Sequence, residues 1–247
     1  MTAASLAILG STVVLSSFIS GVFGMAGGMV LLGVLLVYFD VATGMLLFSI
    51  LQISANGWRA LHWRRFVLWP IFTWYIVGAM LAFAVMRTIA YVPNKAMVYI
   101  LLGAMPFATE VLPQSMRPSI EWRGVPFITG VCTTIVQFMA GVGGLFLDIF
   151  FNKSGLDRKT TIATKAITQT FSHVLRGAYF GSLTGIGHLE LTVWGPGVLL
   201  ALIGAIAAPF VLERMTDHGF RRWTRLIIFS IATVYLVRGG LLLWRAA

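Results

Sequence analysis

Charge is what this 247-residue chain has least of: Asp, Glu, Lys and Arg make up 11% of it, against about 25% in a typical soluble domain. So few charged groups cannot cover a water-facing surface, which excludes a soluble globular protein. The single cysteine, Cys132, excludes an internal disulfide and a cysteine-based metal cluster. No HExxH, no GxSxG and no pair of acids deep in apolar sequence occurs, so the machinery of an intramembrane hydrolase is missing. The chain reads as a non-enzyme with no cofactor and no metal. No Lys or Arg precedes Arg59, so the apolar N-terminal stretch lacks the basic start of a secretory signal and reads as a retained first membrane helix.

What is there is apolar: 58% of the residues are hydrophobic. Polar clusters recur about every 25 to 30 residues, the spacing of membrane helices joined by tight turns. The expected fold is an all-α integral membrane protein of about eight spans, placed at 5–38, 41–63, 69–86, 95–112, 124–151, 156–180, 191–211 and 220–244. The net charge of +10 raises the question of nucleic acid, but the basic residues stand in short groups at helix ends (Arg64 and Arg65; Arg221, Arg222 and Arg225). They read as loop charges and lipid anchors rather than a nucleic-acid surface. Trp58, Trp63, Trp122, Trp223 and Trp244 stand beside charged residues, as in aromatic belts at the two interfaces. Lipid and a small anion are the expected partners, a homodimer is left open, and the cytoplasmic (inner) membrane is the expected location.

Two segments are too long for one crossing: 5–38 as a continuous helix would extend about 50 Å, against about 30 Å of hydrocarbon. Each contains a glycine cluster, Gly21, Gly24, Gly27 and Gly28 in the first and Gly141, Gly143 and Gly144 in the second, where a break is expected. The chain also repeats itself. GMAGG at 24–28 answers GVGG at 141–144, and Gln52, Asn56 and Arg59 answer Gln169, His173 and Arg176, each at an offset of 117. Pro70 and Gly78 answer Pro196 and Gly204 at an offset of 126. Two homologous four-segment halves follow, 1–112 and 123–247, with 113–122 as linker. Lys and Arg counted on alternate loops of an eight-span chain show no decisive asymmetry, so neither the orientation nor the inversion of the halves is assigned.

FGMAGG, together with FMAGVGGLFLDIFFNKSGLDRKTTIATKAITQTFSHVLRGAYFG, resembles the sulfite exporter TauE/SafE family of membrane transporters along essentially the whole chain. The resemblance implies export or uptake of small sulfur anions such as sulfite or organosulfonates, and the expected function is an alternating-access carrier, an exporter. A carrier or channel for a different small anion is the alternative.

The residues themselves support an anion site. A glycine cluster lets a membrane helix break and expose N–H groups, and a half-helix N-terminus carries partial positive charge. Gly24, Gly27, Gly28, Gly141, Gly143 and Gly144 are therefore candidate substrate ligands, with close helix packing as the alternative, the role that fits Gly78, Ala82, Gly204 and Ala208. Residues i, i+4 and i+7 share a helix face, so Gln52, Asn56 and Arg59 form one candidate binding face and Gln169, His173 and Arg176 the other. The alternative for the two arginines is snorkelling to an interface. Asp148 is the only acid deep in an apolar run. It is a candidate proton carrier or the partner of Lys165 or Arg176, while Lys165 pairs, with Asp157 as the nearest candidate, or snorkels. His173 is a candidate proton relay or a packing hydrogen bond; His62, His188 and His218 read as loop or interface residues.

Overall fold

The computed structural model describes residues 2–23, 26–113, 116–185, 191–212, 214 and 217–245. Among them the chain is entirely helical: α1 (Ala3–Phe23), α2 (Ala26–Tyr38), α3 (Val41–His62), a 3₁₀ turn (Arg64–Phe66), α4 (Trp69–Ile89), α5 (Lys95–Val111), α6 (Val125–Ala140), α7 (Gly144–Phe151), α8 (Arg158–Thr184), α9 (Leu191–Leu212) and α10 (Asp217–Trp244). Short polar residues start three of them, α3, α5 and α8. Asp40 accepts from Thr43 N at 3.0 Å, Asn94 from Met97 N at 2.8 Å, and Asp157 from Lys159 N at 2.9 Å and Thr160 N at 3.1 Å, each filling the donors that a first turn leaves free. Prolines near the starts of α4 and α6 cost no hydrogen bond there.

Among the described residues, five helices are long and apolar enough to cross a membrane: Ala3–Val22, Val41–His62, Trp69–Ile89, Trp194–Val211 and Arg222–Trp244. α5 has only 17 residues, and α8 carries too much polarity, holding Lys165, Gln169, His173 and Arg176. Large apolar side chains such as Leu199, Phe210 and Val234 point outward, which suits lipid and would be a liability in water.

The two overlong segments break at their glycines, and the breaks are reversals rather than kinks. Residues 16 and 27 of a continuous helix would stand about 16 Å apart along the axis, yet a Cβ on Gly27 would overlap the Ser16 carbonyl and lie 2.6 Å from Ser20 Oγ. A Cβ on Gly143 would likewise fall 2.8 Å from the Thr133 methyl and 3.0 Å from Gln137 Oε1. α2 thus folds back along α1, and α7 along α6. Gly141 makes the second reversal in the left-handed region, φ 79°, where glycine is the usual residue. Lys153, just past α7, lies 5.0 Å over Trp122, just before α6, so this hairpin begins and ends at one end of the bundle. Of the eight or so expected spans, 5–38 and 124–151 each break and return toward the end they started from.

Helix packing follows a two-fold pattern. α3 lies against α8, with Ser49 at Gly177 and Gly57 at Thr170. α5 lies against α10, with Gly103 at Ala232 and Gly239 at Ile100. Residue numbers run in opposite directions in both pairs, so both are antiparallel. α1 packs on α9 (Gly10 at Leu200, Gly204 at Val14 and Phe18) and α4 on α6 (Gly78 at Phe127, Phe83 at Phe138) with numbers rising together, so these pairs are parallel. α2 touches α10 as α7 touches α5.

Candidate substrate site

Two neighbouring spaces open inside the helical bundle. The larger, about 810 Å³, is ringed by the C-terminal ends of α1, α3, α5 and α9 and the N-terminal ends of α8 and α10. Its lining is rich in cations: Arg59, Arg117, Arg158, Lys159, Lys165 and Arg225, against the acids Glu110 and Asp148. Glu110 is held by Arg225 at 2.8 Å, and Asp148 is ion-paired with Lys165. Asp157 does not pair with Lys165. It caps α8, and the Thr160 hydroxyl and the Lys159 and Thr160 N–H groups hold its carboxyl below the usual range. Arg117 donates to Leu112 O at 3.0 Å and Thr109 O at 2.8 Å. Trp58 stacks on His62 at 6.3 Å, and Lys159 lies 5.7 Å over Trp63, so this mouth is also aromatic.

The smaller space, about 20 Å³, holds one water-sized guest. It lies where the hairpins meet and is lined by Ser20, Gly28, Phe48, Gln52, Asn56, Gln137, Gly143, Gly144, Gln169 and His173. Gln169 faces both spaces. The first turns of α2 and α7 begin at this pocket, and their N–H groups have no intrahelical acceptors. Gln52 and Asn56 are buried, at 6% and 4% exposure, and neither they nor Gln169 hydrogen-bonds another described residue. A buried amide left in that state costs about 1 to 3 kcal/mol, so the pocket is built for a polar guest.

The opposite end is packed with aromatic side chains. Phe138 stacks on Tyr179 at 4.5 Å, Tyr99 lies 5.5 Å from Tyr235, and Tyr179 donates to Tyr91 O at 2.8 Å.

The chain matches the model of the sulfite exporter TauE/SafE family over residues 9–235. The chain belongs to that family. No curated protein and no solved structure matches it. TauE/SafE proteins are membrane transporters of sulfite and related sulfur anions rather than enzymes, and this chain is a multi-pass membrane protein accordingly.

Within this TauE/SafE chain the candidate residues separate into three groups. Gly28, Gln52, Asn56, Gly143, Gly144, Gln169 and His173 come together around the small pocket. Gly27 and Gly141 serve packing, the first against α1 and the second against Leu32 and Met45; Gly24 lies outside the described residues, as does His188. The arginines do something the spacing did not suggest. Arg59 donates to Ser20 O at 3.1 Å, near the C-terminal end of α1, and Arg176 donates to Gly141 O at the C-terminal end of α6. Helix ends carry unsatisfied carbonyls and partial negative charge, and each arginine answers one. Arg176 has no exposed surface at all, which rules out snorkelling. Its other contacts are Ser49 Oγ at 2.8 Å, His173 Nδ1 at 3.0 Å and the Phe48 ring at 4.4 Å. It therefore stands behind the pocket, while Arg59 lines the larger cavity.

Ser20, Phe48 and Gln137 line the pocket without having been singled out in the sequence. A signal existed for two of them: Ser20 and Gln137 stand at the same 117-residue offset, Ser20 four residues before Gly24 and Gln137 four before Gly141.

Proposed function

We propose that the protein is an alternating-access carrier that exports a small sulfur oxyanion, sulfite or an organosulfonate, from the cytoplasm across the cytoplasmic membrane, and that the structure is its cytoplasm-open form. The observation that carries this reading is the small pocket itself: amides from both halves and two helix N-termini converge on one space, reached from a cation-lined cavity. Anions are attracted by the cavity and meet N–H donors at its floor.

Direction follows from charge. Because α2 and α7 turn back, the connections regroup by side. Arg64, Arg65, Arg117, Arg123, Lys153, Arg158, Lys159, Arg214, Arg221 and Arg222 fall at the cavity end, and only Arg87, Lys95 and Arg245 in the connections and terminus of the other end. Cytoplasmic loops carry the excess of Lys and Arg, so the cavity faces the cytoplasm and takes substrate from there. The asymmetry is invisible when 5–38 and 124–151 are counted as crossings. The antiparallel pairing of α3 with α8 and of α5 with α10 supports reading 1–112 and 123–247 as homologous, inverted halves joined by 113–122, with α3 and α8 astride an axis in the membrane plane.

Flux of labelled sulfite and methanesulfonate in proteoliposomes tests the substrate class, and no flux or competition by any sulfur anion would overturn it. Orientation is tested on whole cells with Cys132→Ser carrying one new cysteine, Ser154→Cys or Asn94→Cys. An impermeant maleimide should label the second and spare the first; the reverse pattern overturns the cytoplasmic assignment.

A further inference from the structure

His173 is 5% exposed and its ring lines the small pocket. Its Nδ1 has two neighbours, Arg176 Nη2 at 3.0 Å and Gln137 Nε2 at 3.2 Å. A guanidinium has donors and no acceptor, so Nδ1 must be the acceptor of that bond and carries no proton. Gln137 must then turn its amide nitrogen to the same atom, which fixes its otherwise ambiguous amide, with Oε1 on the Gly143 side. The ring proton is left on Nε2, and among the described residues nothing accepts from it. Protonating Nδ1 as well would set two cations at hydrogen-bonding distance in a buried site, so the ring stays neutral.

The surroundings supply no counter-charge. Asp148 on α7 is ion-paired with Lys165, Arg59 on α3 donates to Ser20 O, Tyr75 on α4 is bonded to Ser172 at 2.6 Å, and α6 contributes the neutral Gln137. Among the described residues no carboxylate pairs with Arg176, a cation with no exposed surface. A buried charge without a partner is costly, and the ring of His173 separates it from the pocket by one residue.

We propose that Arg176 and Gln137 are positioning residues that lock His173 as a neutral donor, Nε2–H, to the substrate anion, and that the anion is the counter-charge Arg176 otherwise lacks. The site thereby selects a singly charged oxyanion and takes no proton from His173. This rests on the anion site proposed above. It assigns the proton-relay role to neither face of the ring.

Nitrogen-15 NMR of the full-length protein labelled at histidine reads the ring directly, with the His173 signal identified by its loss in His173→Gln. The neutral Nε2–H pattern should persist from pH 6 to 8 without added anion; an Nδ1–H or imidazolium pattern in that range overturns the proposal. This arm needs neither a substituted site nor a ligand, so it stands apart from the substrate class. For methanesulfonate, singly charged throughout, His173→Gln, whose amide nitrogen reaches the Nε2 position, should keep affinity better than His173→Asn, which reaches only Nδ1, by about tenfold. Arg176→Lys keeps the donor-only cation and should bind better than Arg176→Gln by a similar factor. Equal losses in the two Arg176 variants, or the reverse order at His173, would reduce both residues to structural roles. Failure of the wild type to bind any sulfur anion would instead strike the proposed function, with the NMR pattern still deciding the tautomer.

Discussion

Asp148→Asn removes the one carboxylate that the sequence left open between pairing and proton transfer. In the structure it is ion-paired with Lys165, and the two side chains are 27% and 19% exposed. Exposed pairs contribute about 0.2 to 1 kcal/mol, and breaking a fully buried one costs about 3 to 5 kcal/mol. A pair at this intermediate exposure should lose about 2 kcal/mol when the carboxylate is neutralised, because Lys165 then faces Arg59 across the cavity without relief. For a chain of this size that is a fall of about 4 to 8 °C in Tm, measurable on purified protein by tryptophan fluorescence. Asp148→Asn/Lys165→Met should recover most of the loss, since neither charge is then stranded. The single variant also makes the cavity more positive, so half-saturation by methanesulfonate should fall, by roughly twofold to fivefold at low salt and less at high salt. A different result would refute the pairing: unchanged Tm in Asp148→Asn together with loss of any response to an imposed pH gradient would make Asp148 a proton carrier and Lys165 a bystander.

The helix caps give a pH dependence of known sign. Hydrogen bonds hold the Asp157 carboxyl below its usual value; at Asp40 burial pushes upward, but the hydrogen bonds from Thr43 outweigh it. Each contributes stability that is present above the unfolded carboxylate value of about 3.9 and lost as pH falls through the lowered folded value. Tm of the wild type should therefore fall more steeply below about pH 4 than that of Asp40→Asn/Asp157→Asn, and parallel curves would show that the caps do not titrate as described. At the parallel crossings, a Cβ on Gly130 would overlap the Tyr75 carbonyl and one on Gly204 the Val14 carbonyl, while one on Gly240 meets nothing within 4 Å. Gly130→Ala and Gly204→Ala should each cost about 1 to 3 kcal/mol, read as Tm, with Gly240→Ala neutral or slightly stabilising; three equal effects would show that helix propensity, not close approach, governs these sites.

Composition and spacing by themselves determined the class of molecule: an apolar, charge-poor, all-helical chain, interrupted at two glycine clusters, with polar residues recurring at one offset. Those are local properties, because transfer free energy and helical periodicity act over a few turns. The same locality explains why Gln52, Asn56, Gln169 and His173 could be picked out, as hydrogen-bonding groups in sequence that offers them no partners. What the sequence could not fix was direction. A glycine cluster permits a kink or a reversal alike, and only packing of Gly27 on Ser16 and Ser20, and of Gly143 on Thr133, decided for reversal. That choice moved every later connection to its side and made the charge asymmetry visible. The arginines escaped for a similar reason. Their spacing shows which face they share with an amide, but whether a long side chain reaches a ligand or the carbonyls at a neighbouring helix end depends on where that end lies, which only the tertiary structure determines.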